Sequence, residues 1–216
     1  MRCLFRALRL KAASPFARSA RNRRLVSHAE KKVEAGPARD SFGLSMKPHS
    51  ELFAKVLSVF AEEGWACHEV AEQEVLRAGF EAHHARVELH VQIFPSLAAV
   101  SVVSESPRTS PGPAHRERLA ELAMRVNQTL TVGNFELDWD TGRLLFRVSN
   151  LFPAPQGDAK IIRGLIHTTV GEMDRIAPLE AIVLQSDGAL LASLDLPALL
   201  DRDDLLPAIP ADLSPS

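Results

Sequence analysis

Between Gly133 and Asn150 the apolar side chains fall on every second residue, and this constrains the fold more than any other stretch. Phe135, Leu137 and Trp139 alternate with Glu136, Asp138 and Asp140. After Asp140-Thr141-Gly142-Arg143, the residues Leu144, Phe146 and Val148 alternate with Leu145, Arg147 and Ser149. A period of two is what a strand with one buried face requires. The segment therefore predicts a β-hairpin, with Gly142 free to take a positive φ in its turn. Phe135, Leu137 and Trp139 are expected on the buried face.

The flanking segments carry the helical period. Leu119, Leu122, Ala123, Val126 and Leu130 predict a helix over 114–130. Ile161, Ile162, Leu165, Ile166, Val170, Met173 and Ile176 predict a longer one from about Ala159, which Pro178 should kink or interrupt. Upstream, Leu52, Val56, Val59 and Phe60 mark a first helix over 46–63, capped by Ser50 and stopped by Gly64. Strands follow over 75–82, 86–94 and 98–104, with short connections at His83-His84 and Pro95-Ser96. The order is helix, three-strand meander, helix, hairpin, helix. It predicts an α+β domain, an antiparallel sheet with helices packed on one face.

A chain of 216 residues supports one good core. The formal charge of −2 gives no global basic excess and argues against a nucleic-acid binder. No apolar run approaches the roughly 20 residues needed to span a bilayer. The two cysteines, Cys3 and Cys67, lie in segments of different kind, and no disulfide framework is expected. Charge is uneven along the chain. Residues 1–29 contain arginines and a lysine but no acid, whereas Asp195, Asp201, Asp203, Asp204 and Asp212 face the single base Arg202 near the other end. The expected organisation is a basic head over 1–45, an α+β domain over 46–186 and an acidic, proline-rich, largely disordered tail over 187–216. The head has the composition of an organelle transit peptide. It reads equally as sequence upstream of a true start at Met46, and less well as a nucleic-acid or membrane-binding arm. Within the tail, 189–200 has the apolar content to form a short helix docked on the core.

Catalytic patterns are missing. His83 and His84 would point to opposite faces of a strand, His90 stands six residues further on, and zinc spacing is absent. Glu136, Asp138 and Asp140 share a face, but opposite an apolar one they read as the solvent side of a sheet. Asp201-Arg202-Asp203-Asp204 lacks the loop of a calcium hand. Cys67 beside His68 reads as a half-buried structural cysteine. There is no nucleophile elbow and no phosphate or dinucleotide fingerprint. No catalytic, metal or cofactor residue is assigned, and no cofactor is expected. Val87, Leu89, Val91 and Phe146 are expected under the helices, although an open sheet face is the alternative. Apolar surface for a protein partner is expected instead at the kinked end of the last helix, at Leu179, Ile182 and Val183. Residues 196–206 read as a docking peptide or an intramolecular cover.

Several residues together resemble the YbjN-like family. They are Gly64-Trp65 after the first helix, Asn127, Gly133-Asn134-Phe135-Glu136, Asp140-Thr141-Gly142, Phe146-Arg147, Asp174 and Pro178. The likeness covers roughly 48–185. It implies a fold like that of type III secretion chaperones and a sensory or regulatory role, with no catalytic residue set to transfer. The expected function is a non-enzymatic protein-binding module with a chaperone-like or regulatory role. The expected partner is a protein, a second copy of the chain included, and not nucleic acid or membrane. The expected location is the cytoplasm of a bacterium, or an organelle if the head is a transit peptide. The alternative is a small-molecule sensor or enzyme with an unrecognised polar pocket.

Overall fold

Strand β4 (Arg86–Phe94) organises the sheet. Its side chains alternate along the whole length, with Val87, Leu89, Val91 and Ile93 buried and Arg86, Glu88, His90 and Gln92 in solvent. The computed structural model describes residues 11–12 and 49–202. The expectations for the rest of the head, for Met46, for Cys3 and for 203–216 lie outside the described residues.

In chain order the elements are β1 (Lys11–Ala12), α1 (Glu51–Glu63), β2 (His68–Glu69), β3 (Val75–Glu81), β4, a 3-10 turn (Pro95–Leu97) and β5 (Ala99–Glu105). Then come α2 (Pro113–Asn127), β6 (Asn134–Asp138), β7 (Arg143–Leu151), α3 (Ala159–Gln185), α4 (Gly188–Ala192) and α5 (Leu196–Leu200). The strands form one antiparallel sheet in the order β1-β3-β4-β5-β7-β6, with β2 also on β3. The hairpin therefore joins through its second strand: β7 pairs with β5, Val102 opposite Val148, and β6 is left at the edge.

The helix ends follow local chemistry. Ser50 Oγ accepts from Phe53 N–H at 3.1 Å to start α1, and Gly64 at φ 69 ends it. Asp158 accepts from Lys160 and Ile161 N–H to start α3. Pro178 lies inside α3 without interrupting it. Its missing N–H and its ring disfavour a helix interior by about 3 kcal/mol. Burial of Ile176, Ala177, Leu179 and Val183 on both sides of it outweighs that cost.

The core lies between the helices and one sheet face. Phe53, Phe60, Phe80, Leu122, Phe146 and Ile166 are among its fully buried members. Val87, Leu89, Val91 and Phe146 are at most 3% exposed, so they form the core and not an open face. In the hairpin, Phe135, Leu144, Phe146 and Val148 are buried as the alternation predicts. Trp139 is not: β6 ends at Asp138 and the indole is 54% exposed.

One side chain covers the β6 edge at Phe135. Asn127, the last residue of α2, accepts from Phe135 N–H at 2.7 Å and donates to Phe135 C=O at 3.0 Å. Its amide thus occupies the place of a neighbouring strand, which explains an asparagine ahead of the Gly-Asn-Phe-Glu opening. Asn127→Ala is expected to cost about 2 kcal/mol, because two backbone groups lose their partner at once. Amide exchange at Phe135, slow in the parent chain, should become fast. Unchanged protection at that amide would show that the plug is not needed.

Candidate functional site

The carboxylates of the hairpin have structural occupations. Asp138 accepts from Asp140 N–H at 2.9 Å and from Thr141 Oγ1 at 2.7 Å, holding the turn. These Thr141 and backbone contacts keep its pKa below the ordinary value. Glu136 forms an ion pair with Arg147 across the strands at 2.9 Å, and that hydrogen bond lowers its pKa as well. Neither is a candidate general acid, which needs a raised pKa at neutral pH.

His83 and His84 sit in the β3–β4 turn with their rings edge to face, 4.5 Å apart. Among the described residues, no group of three or more His, Cys, Asp and Glu side chains is arranged to hold a metal ion. Cys67 is half-buried, and burial pushes its thiol above the ordinary value, opposite to what an activated nucleophile requires. Among the described residues, no helix is long and apolar enough to cross a membrane.

Two carboxylates lie on the buried stripe of α3. Asp174, 5% exposed, accepts from the N–H groups of His84 at 2.6 Å and Ala85 at 3.0 Å. Glu180, 2% exposed, accepts from Arg108 Nη1 at 3.0 Å through Oε2, whereas Oε1 has no hydrogen-bond partner among the described residues. Asp174 thus holds the β3–β4 turn, and Glu180 holds the segment between β5 and α2. A cavity of about 20 Å³ lies beside Glu180, lined among others by Ala85, Ser106, Arg108 and Met173. That is room for one water and not for an organic substrate. Both acids were missed as buried groups, yet the signal is in the sequence. They fall on the same helical face as Met173 and Ala177, where a charge needs a partner.

Burial pushes Glu180 above the ordinary carboxyl value of 4.5, against the opposing pull of the nearby Ser106 hydroxyl and Arg108 guanidinium. A carboxyl raised by folding stabilises the fold fully below pH 4.5 and loses that contribution as pH rises through its folded pKa. Glu136 and Asp138, lowered by folding, act in the opposite sense and fade as pH falls. Glu180→Gln must therefore be compared with the parent chain by difference. The gap in Tm should move in favour of the variant as pH rises from 4.5 toward neutral. A gap independent of pH would show that Glu180 does not titrate differently on folding.

The apolar surface expected at the end of α3 is not surface. Leu179 is 5% exposed, Val183 is 0% exposed and Ile182 is half-buried. Exposed apolar side chains are spread over the described residues, at Met124, Val132, Trp139, Ile161 and Leu190 among others, and two of them, Leu97 and Leu151, lie at one end of the solvent face of the sheet, beside the half-buried Phe94 and the buried Ala99. Phe94, Ala99 and Leu151 stand opposite one another across β4, β5 and β7, so they point to the same side. Leu151 is 71% exposed, and Leu97, in the adjoining turn, is 62% exposed. The next rank on this face, Gln92, Ser101 and Ser149, is polar. Leu151 was legible, since it continues the outward register of Arg147 and Ser149. The rank it completes was not, because strand neighbours are set by tertiary pairing.

No protein-family model and no curated protein matches the sequence. The chain is similar to two solved structures. One is YbjN, a candidate transcription regulator from E. coli, with a TM-score of 0.42 and 10% identity over 61% of this chain and 88% of that one. The other is a chain of the ExsC-ExsE complex, with a TM-score of 0.43 and 11% identity over 60% of this chain and 92% of that one. These likenesses concern the fold and carry no function to this chain.

Proposed function

We propose that this chain is a non-enzymatic protein-binding module with a chaperone-like or regulatory role, acting in the cytoplasm, and that self-association is one form its binding takes. The observation that carries the reading is the exposed pair Leu97 and Leu151 at the end of the solvent face of the sheet. Single exposed leucines are ordinary, but Leu151 shares a rank with the half-buried Phe94, and Leu97 lies in the turn that follows Phe94. The enzyme reading is weaker. The buried acids are committed to turn and loop contacts, the hairpin acids are depressed in pKa, and the cavity beside Glu180 is the size of a water.

Affinity capture with crosslinking tests the proposal, with the full chain and a Leu97→Asp, Leu151→Asp double variant as baits. Both positions are exposed, so the variant should keep its stability to within about 0.5 kcal/mol. A reproducible protein partner that the variant loses supports the module and places its surface. A small molecule co-purifying with both baits, and no protein partner with either, overturns the reading.

A further inference from the structure

Beyond α3 the chain doubles back on α2. Helices α4 and α5 are five residues each, and both lie against α2. Helices this short do not hold themselves in water, so their order comes from docking. Leu191 and Leu196 are 3% and 1% exposed and belong to the hydrophobic core, with Leu194, Leu199 and Leu200 packed partly against it. Two α2 side chains hold the backbone of this strap. His115 Nε2 lies 2.8 Å from Ser186 C=O, and Arg118 Nη2 donates to Leu194 C=O. Asp195 caps α5 by accepting from Ala198 N–H at 3.0 Å.

These contacts are those of a ligand in a groove. Two leucines five residues apart fill apolar sites, and the polar contacts go to main-chain carbonyls that any segment would supply. The last turns of α3 run directly into the strap.

We propose that the strap-bearing face of α2 is a peptide-binding groove, that residues 186–200 are its resident occupant, and that its partner is a leucine-bearing, helix-forming segment of another protein that displaces them. The inference rests on the protein-binding reading and adds a second, covered surface to it. Tethering gives the resident segment an effective concentration in the millimolar range for a short linker, so a free segment competes poorly until the strap is unseated.

The probe is a fluorescein-labelled synthetic peptide of residues 186–202. It is titrated into the full chain and into a full-length Leu191→Asp, Leu196→Asp variant, in which the strap no longer seats. The variant should bind the peptide at least about tenfold more tightly than the parent chain, because its cis competitor is gone. Adding Arg118→Ala should weaken that binding, and a peptide with both leucines changed to aspartate should not bind. Hydrogen exchange should show β4 and β5 still protected in the variant while the amides of 188–200 exchange freely. Equal binding by parent and variant overturns the groove. So does loss of protection throughout β4 and β5, which would make the strap an integral part of the core. A partner captured through Leu97 and Leu151 without any peptide binding overturns the groove alone. Failure of both experiments overturns the protein-binding reading with it.

Discussion

Replacing Gly133 by alanine is expected to destabilise the domain by about 3 kcal/mol, the sum of a backbone and a packing cost. Gly133 precedes β6 at φ 79, where an L side chain is strained. A Cβ there would lie 2.4 Å from Phe146 Cζ and 3.1 Å from Arg147 C=O. Phe146 has no room to retreat. It is 0% exposed and packs edge to face on Phe135 with ring centroids 4.9 Å apart. The left-handed backbone accounts for about 1–2 kcal/mol and the overpacking for a similar amount. Gly164 is the control. It is in α3 with nothing within 4 Å of an added Cβ, and Gly164→Ala should stabilise by about 0.5–1 kcal/mol. Urea unfolding measures both. If the two variants shift the midpoint in the same direction, the packing account of Gly133 is wrong.

Asp174→Ala should cost a similar amount, about 3 kcal/mol, because two charge-assisted hydrogen bonds are lost together. The carboxylate Oδ1 alone serves both the His84 and Ala85 N–H groups, and it does so from a position that is 5% exposed. Removing it leaves the start of β4 without its anchor on α3. Asp174→Asn keeps an oxygen of the same shape and loses only the charge, so its cost should be nearer about 1 kcal/mol. Hydrogen exchange at the His84 and Ala85 amides locates the effect. Exchange should accelerate strongly in the alanine variant and modestly in the asparagine variant. Equal stability of the two would mean that the charge, and not the two bonds, is what the turn uses.

Asp174, Gly133 and Asn127 all belong to the residues that resemble the YbjN-like pattern, and each has a purely structural task. Asn127 closes an edge, Gly133 clears Phe146, and Asp174 ties a turn to a helix. A pattern of such residues identifies a fold and is silent on what the fold binds. That is why the fold was legible along the chain and the candidate surface was not.

The sequence by itself determined the elements and their buried faces. The alternation in 86–94 and 144–148 and the helical stripes of α1, α2 and α3 are local, since burying one face fixes a period along the chain. Ser50, Gly64 and Gly142 also act within a few residues of themselves. Only the tertiary structure decided the rest. It ended β6 at Asp138 because that carboxylate turned to serve the hairpin, leaving Trp139 outside. It carried α3 through Pro178 because core packing on both sides outweighed a missing hydrogen bond. It buried Leu179 and Val183, folded 188–200 onto α2, and brought Leu151 beside Ala99 and Phe94 from distant parts of the chain. Each of these depends on what one segment meets in another, and a period read along a single segment contains no information about that neighbour.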